Sequence, residues 1–319
     1  MSPPMPHTVS VLRLPYRPPY NWPALLAHLE LRALEGVEEV EGGTYRRTVA
    51  IGRRLGTVEV RHQPERSRLA VTVRGAGAGT VAQVLSRVRR VFDLDAEVEK
   101  IGVHLSRDPS LASLVSRRPG LRVPGGWDGF ELAVRAILGQ QVTVVAARRL
   151  AGRLVALCGR SLPQSARKGT LCSAFPAPED VAGSNLDDLG MPGARRAALK
   201  ALAEAAIADP DLFHSRGTVE ETVARLRALR GIGEWTAHYI ALRALRQMDA
   251  FPASDIGLLR GAAGVGGARP SPAELLRRAE AWRPWRGYAA QHLWAADAAN
   301  AKVGTEAAAP IRSTRSRLR

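Results

Sequence analysis

A chain of 319 residues is long for one domain and ample for two or three, so it can bury a full core and still leave a cleft between lobes. Its 46 Lys and Arg against 30 Asp and Glu leave a formal charge of +16, which favours a polyanionic partner because neutralising phosphates releases their counterions. The two cysteines, Cys158 and Cys172, are too few for a four-cysteine iron–sulfur cluster, no apolar run approaches membrane-spanning length, and no His/Cys/Asp cluster has metal-ligand spacing.

In chain order, residues 1–10 are Pro-rich, lack the apolar core of a signal peptide and are expected to be disordered. Residues 11–103 read as an α/β module with an antiparallel sheet. Trp22, Leu25, Leu26 and Leu29 share a helical face ended by Gly36, TVEVRH and LAVTV alternate as strands, and VAQVLSRVRRVFDL is a second amphipathic helix. From 104 to 300 the pattern is almost wholly helical, so the fold class is α+β. Pro119, Pro124 and the Gly125-Gly126 pair mark a loop, and residues 127–159 read as helix, short break, helix. The polar stretch 159–178 has no clear period and is expected to be surface loop. Leu186–Gly190 leads into the helix start MPGARRAAL, which reads equally as a phosphate-facing turn or a plain inter-helix turn. GAAGVGGARPSP lacks the strand before it and the lysine after it that would make a nucleotide loop, and reads as linker. Residues 301–319 form a basic tail, expected to be disordered and to give weak, salt-sensitive attraction to DNA.

The most informative stretch is Val219 to Leu258. Leu226 and Leu229 lie at helical spacing, Gly231 and Gly233 stop that helix around a turn too tight for a Cβ, and Glu234 opens a second helix. Trp235 and Tyr239, four apart, share one face of it. Residues 219–246 thus read as helix, hairpin, helix. Bare N–H groups at Gly231, Ile232 and Gly233 would form an anion site suited to a DNA phosphate, a contact that positions without reading bases. After Pro252, Ser254 or Asp255 fits the N-cap of a third helix. From this stretch alone Asp255 is as well explained as a cap as it is by catalysis.

The residues LRGIGEWTAHYIALRAL followed by DAFPASD resemble the helix-hairpin-helix, Gly/Pro-Asp superfamily of DNA glycosylases, and within it the AlkA-type DNA-3-methyladenine glycosylase II branch. Similarity extends to PGLRVPGGWDGFELAVRAILGQQV, LGMPGARRAALKALAEA and WRPWRGYAAQHLW, from about Tyr16 to Asn300. The resemblance implies a two-lobed helical region with a central cleft behind an N-terminal buttress. It also implies a monofunctional glycosylase that flips out alkylated bases such as 3-methyladenine or 7-methylguanine and leaves an abasic site in double-stranded DNA. Asp255 then matches the catalytic carboxylate, which stabilises the developing oxocarbenium and orients water. Trp235, Tyr239 and Trp294 match pocket aromatics whose faces attract cationic bases. Gln141 occupies the duplex-wedge position, where an apolar residue is usual. The helix from Glu234 to Arg246 contains no lysine, so no Schiff base is expected. Trp282, Trp285, Tyr288 and His292 are assigned to packing. No cofactor is expected beyond a monovalent cation at the hairpin carbonyls, which the family implies. The expected protein is a cytoplasmic monomer without a cysteine-bearing alkyl-transfer extension. Two other readings stay open: a non-catalytic DNA-binding or regulatory hairpin protein, and a glycosylase for oxidised or deaminated bases.

Overall fold

The alternation of Leu69, Val71 and Val73 on one face of β5 (Arg68–Arg74) sets the N-terminal sheet, because each apolar side chain meets a partner across β4 (Arg54–Gln63). The computed structural model describes residues 9–52, 54–75, 78–264 and 267–307. Its five-stranded sheet has the order β1-β5-β4-β3-β2, all neighbours antiparallel, with β1 (Val9–Pro15), β2 (Glu38–Glu41) and β3 (Thr44–Ile51) completing it. Helices α1 (Trp22–Arg32) and α2 (Ala78–Val91) supply Trp22, Leu25, Val84 and Val88 to a core that also holds Val58, Val60 and Phe92. β1 and β2, which the periodicity did not reveal, are edge strands. β1 includes residues 9 and 10, so the expected disordered N-terminus overlaps a paired strand; residues 1–8 lie outside the described ones.

The polar stretch 159–178 is not a free surface loop. It forms a two-stranded ribbon, β6 (Arg160–Ser161) with β7 (Ser173–Ala174), and docks on the sheet by bonds from Lys168 to Glu59 (2.7 Å), Thr170 to Glu39 (2.8 Å) and Cys172 N–H to Gly36 O (2.8 Å). Leu162, Leu171 and Phe175 are buried there, so its polarity is satisfied by the sheet rather than by water. Burial works against the Glu59 carboxylate, but Lys168 and Arg46 hold it down to about 2.

The remaining chain is helical: α3 (Val98–Leu105), α4 (Pro109–Arg117), α5 (Gly129–Leu138), α6 (Val144–Cys158), α7 (Pro178–Gly183), α8 (Gly193–Ala208), α9 (Val219–Arg227), α10 (Glu234–Arg243), α11 (Ile256–Ala263), α12 (Pro272–Ala279) and α13 (Arg286–Ala307). α10, whose Ala237, Ile240, Ala241 and Leu242 are buried, is surrounded by this helical core. The glycine-rich run is linker only in part, since Gly261–Ala263 end α11. The helix α13 continues past Ala301 to Ala307, and the rest of the basic tail, 308–319, lies outside the described residues.

Polar contacts join the sheet module to the helices. Arg122 is buried and donates to the carbonyls of Asp93 (2.8 Å), Ala96 (3.2 Å) and Pro19 (3.1 Å). Asp93 pairs with Arg246 (2.6 Å) and accepts from Tyr288 Oη (2.7 Å) and Val123 N–H (3.0 Å). Tyr288 is therefore structural, and burial together with Asp93 pushes its phenol well above its ordinary value. His292 is also buried, and burial pulls its imidazole down to about 4. Trp282 fills the core with its indole N–H on Asp108 (2.6 Å).

Candidate active site

The hairpin begins with α9, capped by the reciprocal Thr218 and Glu221 bonds, and ends in a turn at Gly231, where φ is +80°. A Cβ at Gly231 would lie 2.4 Å from Ala198 Cβ, so both the conformation and the close approach to α8 require glycine. Gly233 differs. Its φ of −82° suits any residue and a Cβ there would meet no protein atom, so the turn does not require a glycine at that position. Ile232 is buried and anchors the turn, while Gly231 and Gly233 are exposed and α10 starts with no capping side chain. The first amides of α10 thus face outward.

Gln140, which the sequence reading passed over, fixes this turn to the α5–α6 loop. Its amide Nε2 donates to Gly231 O (2.9 Å) and Thr236 Oγ1 (3.0 Å), and its own carbonyl accepts from Arg195 on α8 (2.9 Å). The next residue, Gln141, is exposed at the cleft with φ +56°, a left-handed conformation uncommon outside glycine. Val142 and Val144 beside it are 37% and 38% exposed, leaving apolar surface on the rim.

Asp255 is the N-cap of α11, as its sequence context allows, but capping occupies only part of it. Oδ1 accepts from Leu258 N–H (3.0 Å) and from Trp294 Nε1 (2.9 Å), while Oδ2 accepts from Trp235 Nε1 (2.7 Å). Trp235 comes from α10 and Trp294 from α13. α11 can approach α13 because residue 257 is glycine: a Cβ there would stand 3.1 Å from both Asp255 Oδ1 and Trp294 Cδ1. Arg260, on the same helix, pairs with Asp297 (2.8 Å); among the described residues no cation makes an ion pair with Asp255, although Arg260 is near enough to feel its charge. The carboxylate is half-buried and faces the cleft rather than the interior.

The cleft encloses about 1180 Å³ between the sheet module and the helices, and Asp255, Trp235, Tyr239, Trp294, Gly233 and Gln141 all line it. Gly231 and Ile232, in the hairpin turn, do not line it. The aromatic residues are not three free faces. Trp235 and Tyr239 stack on each other at 5.4 Å, Tyr239 meets Trp294 edge-on at 6.3 Å, and the Arg243 guanidinium sits 4.9 Å from the Trp294 ring centroid. Part of the cation–π capacity assigned to these rings is therefore used by the protein's own arginine. Arg243 is buried, and burial pulls its guanidinium down to about 10.

Across the cleft, Arg47 and Arg135 interlock with Glu38 and Glu131: Arg47–Glu131 2.8 Å, Arg135–Glu38 2.6 Å, Arg135–Glu131 2.6 Å and Arg47–Glu38 3.6 Å. Burial opposes charge on Arg47, Arg135 and Glu131, yet Glu131 holds Arg47 above its ordinary range, and Arg47 and Arg135 hold Glu131 below the usual carboxylate range.

Two family models match successive stretches of the chain: the AlkA N-terminal domain over residues 11–128, and the HhH-GPD superfamily of base excision DNA repair proteins over residues 134–287. The chain belongs to that superfamily, in the branch that carries the AlkA N-terminal domain. It is similar to DNA-3-methyladenine glycosylase 2 of Escherichia coli, 36% identical over 284 residues that cover 88% of this chain and 95% of that protein. It is also similar to a probable bifunctional transcriptional activator/DNA repair enzyme AlkA of Mycobacterium tuberculosis, 41% identical over 90% of this chain, although the chain spans only 57% of that protein's length. Among solved structures, a 3-methyladenine DNA-glycosylase from Archaeoglobus fulgidus shares the fold with a TM-score of 0.76 at 23% identity, covering 90% of this chain and 98% of that one.

Proposed function

We propose that the protein is a monofunctional DNA glycosylase of base-excision repair, a cytoplasmic monomer that hydrolyses the N-glycosidic bond of alkylated bases flipped out of duplex DNA. The observation that carries this reading is Asp255, a carboxylate on the wall of an aromatic cleft, steered by two indole N–H groups and its own helix and in ion-pair contact with no cation among the described residues. As the C1′–N bond breaks, the sugar becomes an oxocarbenium. A fixed anion beside it in a partly dry cleft lowers the barrier more than the same anion would in water. The carboxylate also orients the attacking water and takes its proton. Trp235, Tyr239 and Trp294 wall the space for the base, the N–H groups around Gly231 and Gly233 hold a backbone phosphate while that of Ile232, expected to be bare, is taken by Leu229 O (3.2 Å), and Gln141, standing out from the rim beside exposed valines, fills the vacated place in the duplex. The absence of a Cβ at Gly233, where the turn leaves room for one, fits close approach of a DNA backbone.

The family implies a monovalent cation at the hairpin. Leu229 O accepts from Ile232 N–H and Gly231 O from Gln140, so a cation would have to share carbonyls already engaged. Water is the nucleophile because α10 offers no amine, Trp235 standing near its start. Duplex DNA carrying methylated purines, incubated with pure protein, should lose free methylated base while its strands stay intact, and borohydride should trap no protein–DNA adduct. Release of no base would return the chain to a DNA-binding role. Strong borohydride trapping would make it a lyase.

A further inference from the structure

A buried cation lies against the aromatic cluster. Arg243 closes α10 and is 3% exposed, with its guanidinium carbon 4.9 Å from the ring centroid of Trp294 and 5.8 Å from that of Tyr239. It donates to Pro124 O (2.9 Å) and Gln291 Oε1 (2.8 Å), and its Nε is buried without a partner. Among the described residues its neighbours are carbonyl, amide, aromatic rings, the Tyr239 hydroxyl, which favours its charge, His28 and two further arginines, Arg32 and Arg246, with no carboxylate paired to it. Arg47 and Arg135 in the same cleft are each matched by glutamates. An unmatched buried charge is destabilising, and an apolar side chain of similar volume would avoid that cost. With its guanidinium at about 10, Arg243 stays charged at neutral pH.

We propose that Arg243 is the second electrostatic pole of the reaction: it stabilises the electron pair that the departing base takes up, as Asp255 stabilises the positive charge left on the sugar. This rests on the glycosylase reading above. In the step, the C1′–N bond breaks with both electrons going to the base, a C1′–O bond forms to water, and the water proton passes to Asp255 or solvent. The charge on the base falls by one unit whether it starts neutral and leaves as an anion or starts cationic and leaves neutral. A fixed cation at the base end therefore speeds bond breaking for both classes. Its effect on the bound ground state differs, because it repels a cationic base and leaves a neutral one unaffected. Arg243 thus shifts selectivity toward neutral purines through binding, and raises the rate of the chemical step for every substrate.

The test is single-turnover base release, with protein in excess, from duplexes carrying 7-methylguanine (cationic) or hypoxanthine (neutral). Three variants are compared: Gln291→Glu, which sets a carboxylate against the guanidinium without removing it, Arg243→Met and Arg243→Lys. Gln291→Glu and Arg243→Met should slow the saturated rate about ten- to a hundredfold on both duplexes. The protein concentration giving half-saturation should fall for 7-methylguanine alone. The hypoxanthine to 7-methylguanine ratio of kcat/KM should then drop at least about tenfold, with Arg243→Lys closer to the parent than Arg243→Met. A merely structural role for Arg243 would lower both substrates in proportion. An unchanged ratio in Gln291→Glu, or Lys no better than Met in folded protein, overturns the proposal while leaving the glycosylase reading intact. Failure of the parent to release either base overturns both.

Discussion

Two groups of charges face each other across one cleft and are arranged on opposite rules. Glu38, Arg47, Glu131 and Arg135 form a closed square in which every charge touches its opposite. Asp255 and Arg243, a few side chains away, are opposite in sign yet each is held by neutral groups: indole and amide N–H for the carboxylate, carbonyl and side-chain amide for the guanidinium. A saturated square has little field left to act on a third body, so its contribution is to hold the two modules together. Two charges on the cleft wall that make no ion pair among the described residues keep more of their field for whatever enters. The difference between structural and chemical charge here is thus one of partners rather than of burial, since Arg47 and Arg243 are comparably hidden at 2% and 3% exposure.

The largest effect that would sharpen this contrast is at Asp255. Asp255→Asn should slow single-turnover base release at least about 10³-fold, some 4 kcal/mol. Affinity for DNA containing an abasic site should stay within a few fold. The amide cannot reproduce the whole constellation, because its NH2 must face an indole N–H, so thermal stability should fall as well. Parental rates in the folded variant would erase the distinction between the two regions. On the other side of the cleft, Arg47→Met should leave Glu131 and Glu38 partly uncompensated and cost about 3 kcal/mol of unfolding free energy in urea titrations. A pH series adds a sign. Because Glu131 is held below its unfolded value, the folded state binds fewer protons than the unfolded chain. Its contribution is complete above the ordinary glutamate range, near about 4.3, and drains away as pH falls through the folded value. In Arg47→Met that acid limb should shrink. A loss below about 1 kcal/mol, or an unchanged acid limb, would show that the square is not what joins the modules.

Much of this was legible in the sequence where local chemistry decides. The hairpin read over 219–246 follows from the spacing of Leu226 and Leu229 and from the glycine at 231, which φ +80° requires; the Thr218–Glu221 capping box that starts it was not read from the sequence. Asp255, Trp235, Tyr239, Trp294 and Gln141 do converge on one cleft. What stayed hidden depends on distant partners. Nothing in the polar stretch 159–178 says that its lysine will meet Glu59, about a hundred residues earlier, and so it reads as loop. Arg243 looks like any arginine at a helix C-terminus, where a cation suits the dipole; only its burial against Trp294 and Gln291 sets it apart. Gln140 and Gln141 are adjacent and alike in composition, and backbone geometry alone separates the one that locks the hairpin from the one that projects. The flat aromatic residues were expected for their faces, whereas two of them also hold the carboxylate by their N–H groups.

That dual use gives the smallest of the predicted effects and the finest division between the roles. Trp294→Phe keeps an aromatic ring on the cleft wall but deletes the donor 2.9 Å from Asp255 Oδ1. A hydrogen bond to a charged group contributes about 1.5–3 kcal/mol, and Leu258 N–H and Trp235 remain to steer the carboxylate, so the loss should lie at the lower end, roughly tenfold in rate. If the indole acts on the base through stacking, the substitution should weaken saturation by substrate and leave the maximal single-turnover rate nearly unchanged. If it acts through the carboxylate, the maximal rate should fall while half-saturation stays put, and combining Trp294→Phe with Asp255→Asn should then cost no more than Asp255→Asn alone. The second pattern is the one expected, because an anion whose hydrogen bonds all come from neutral donors depends on them for its direction. A double variant whose losses simply multiply would mean that the Trp294 N–H and Asp255 act independently.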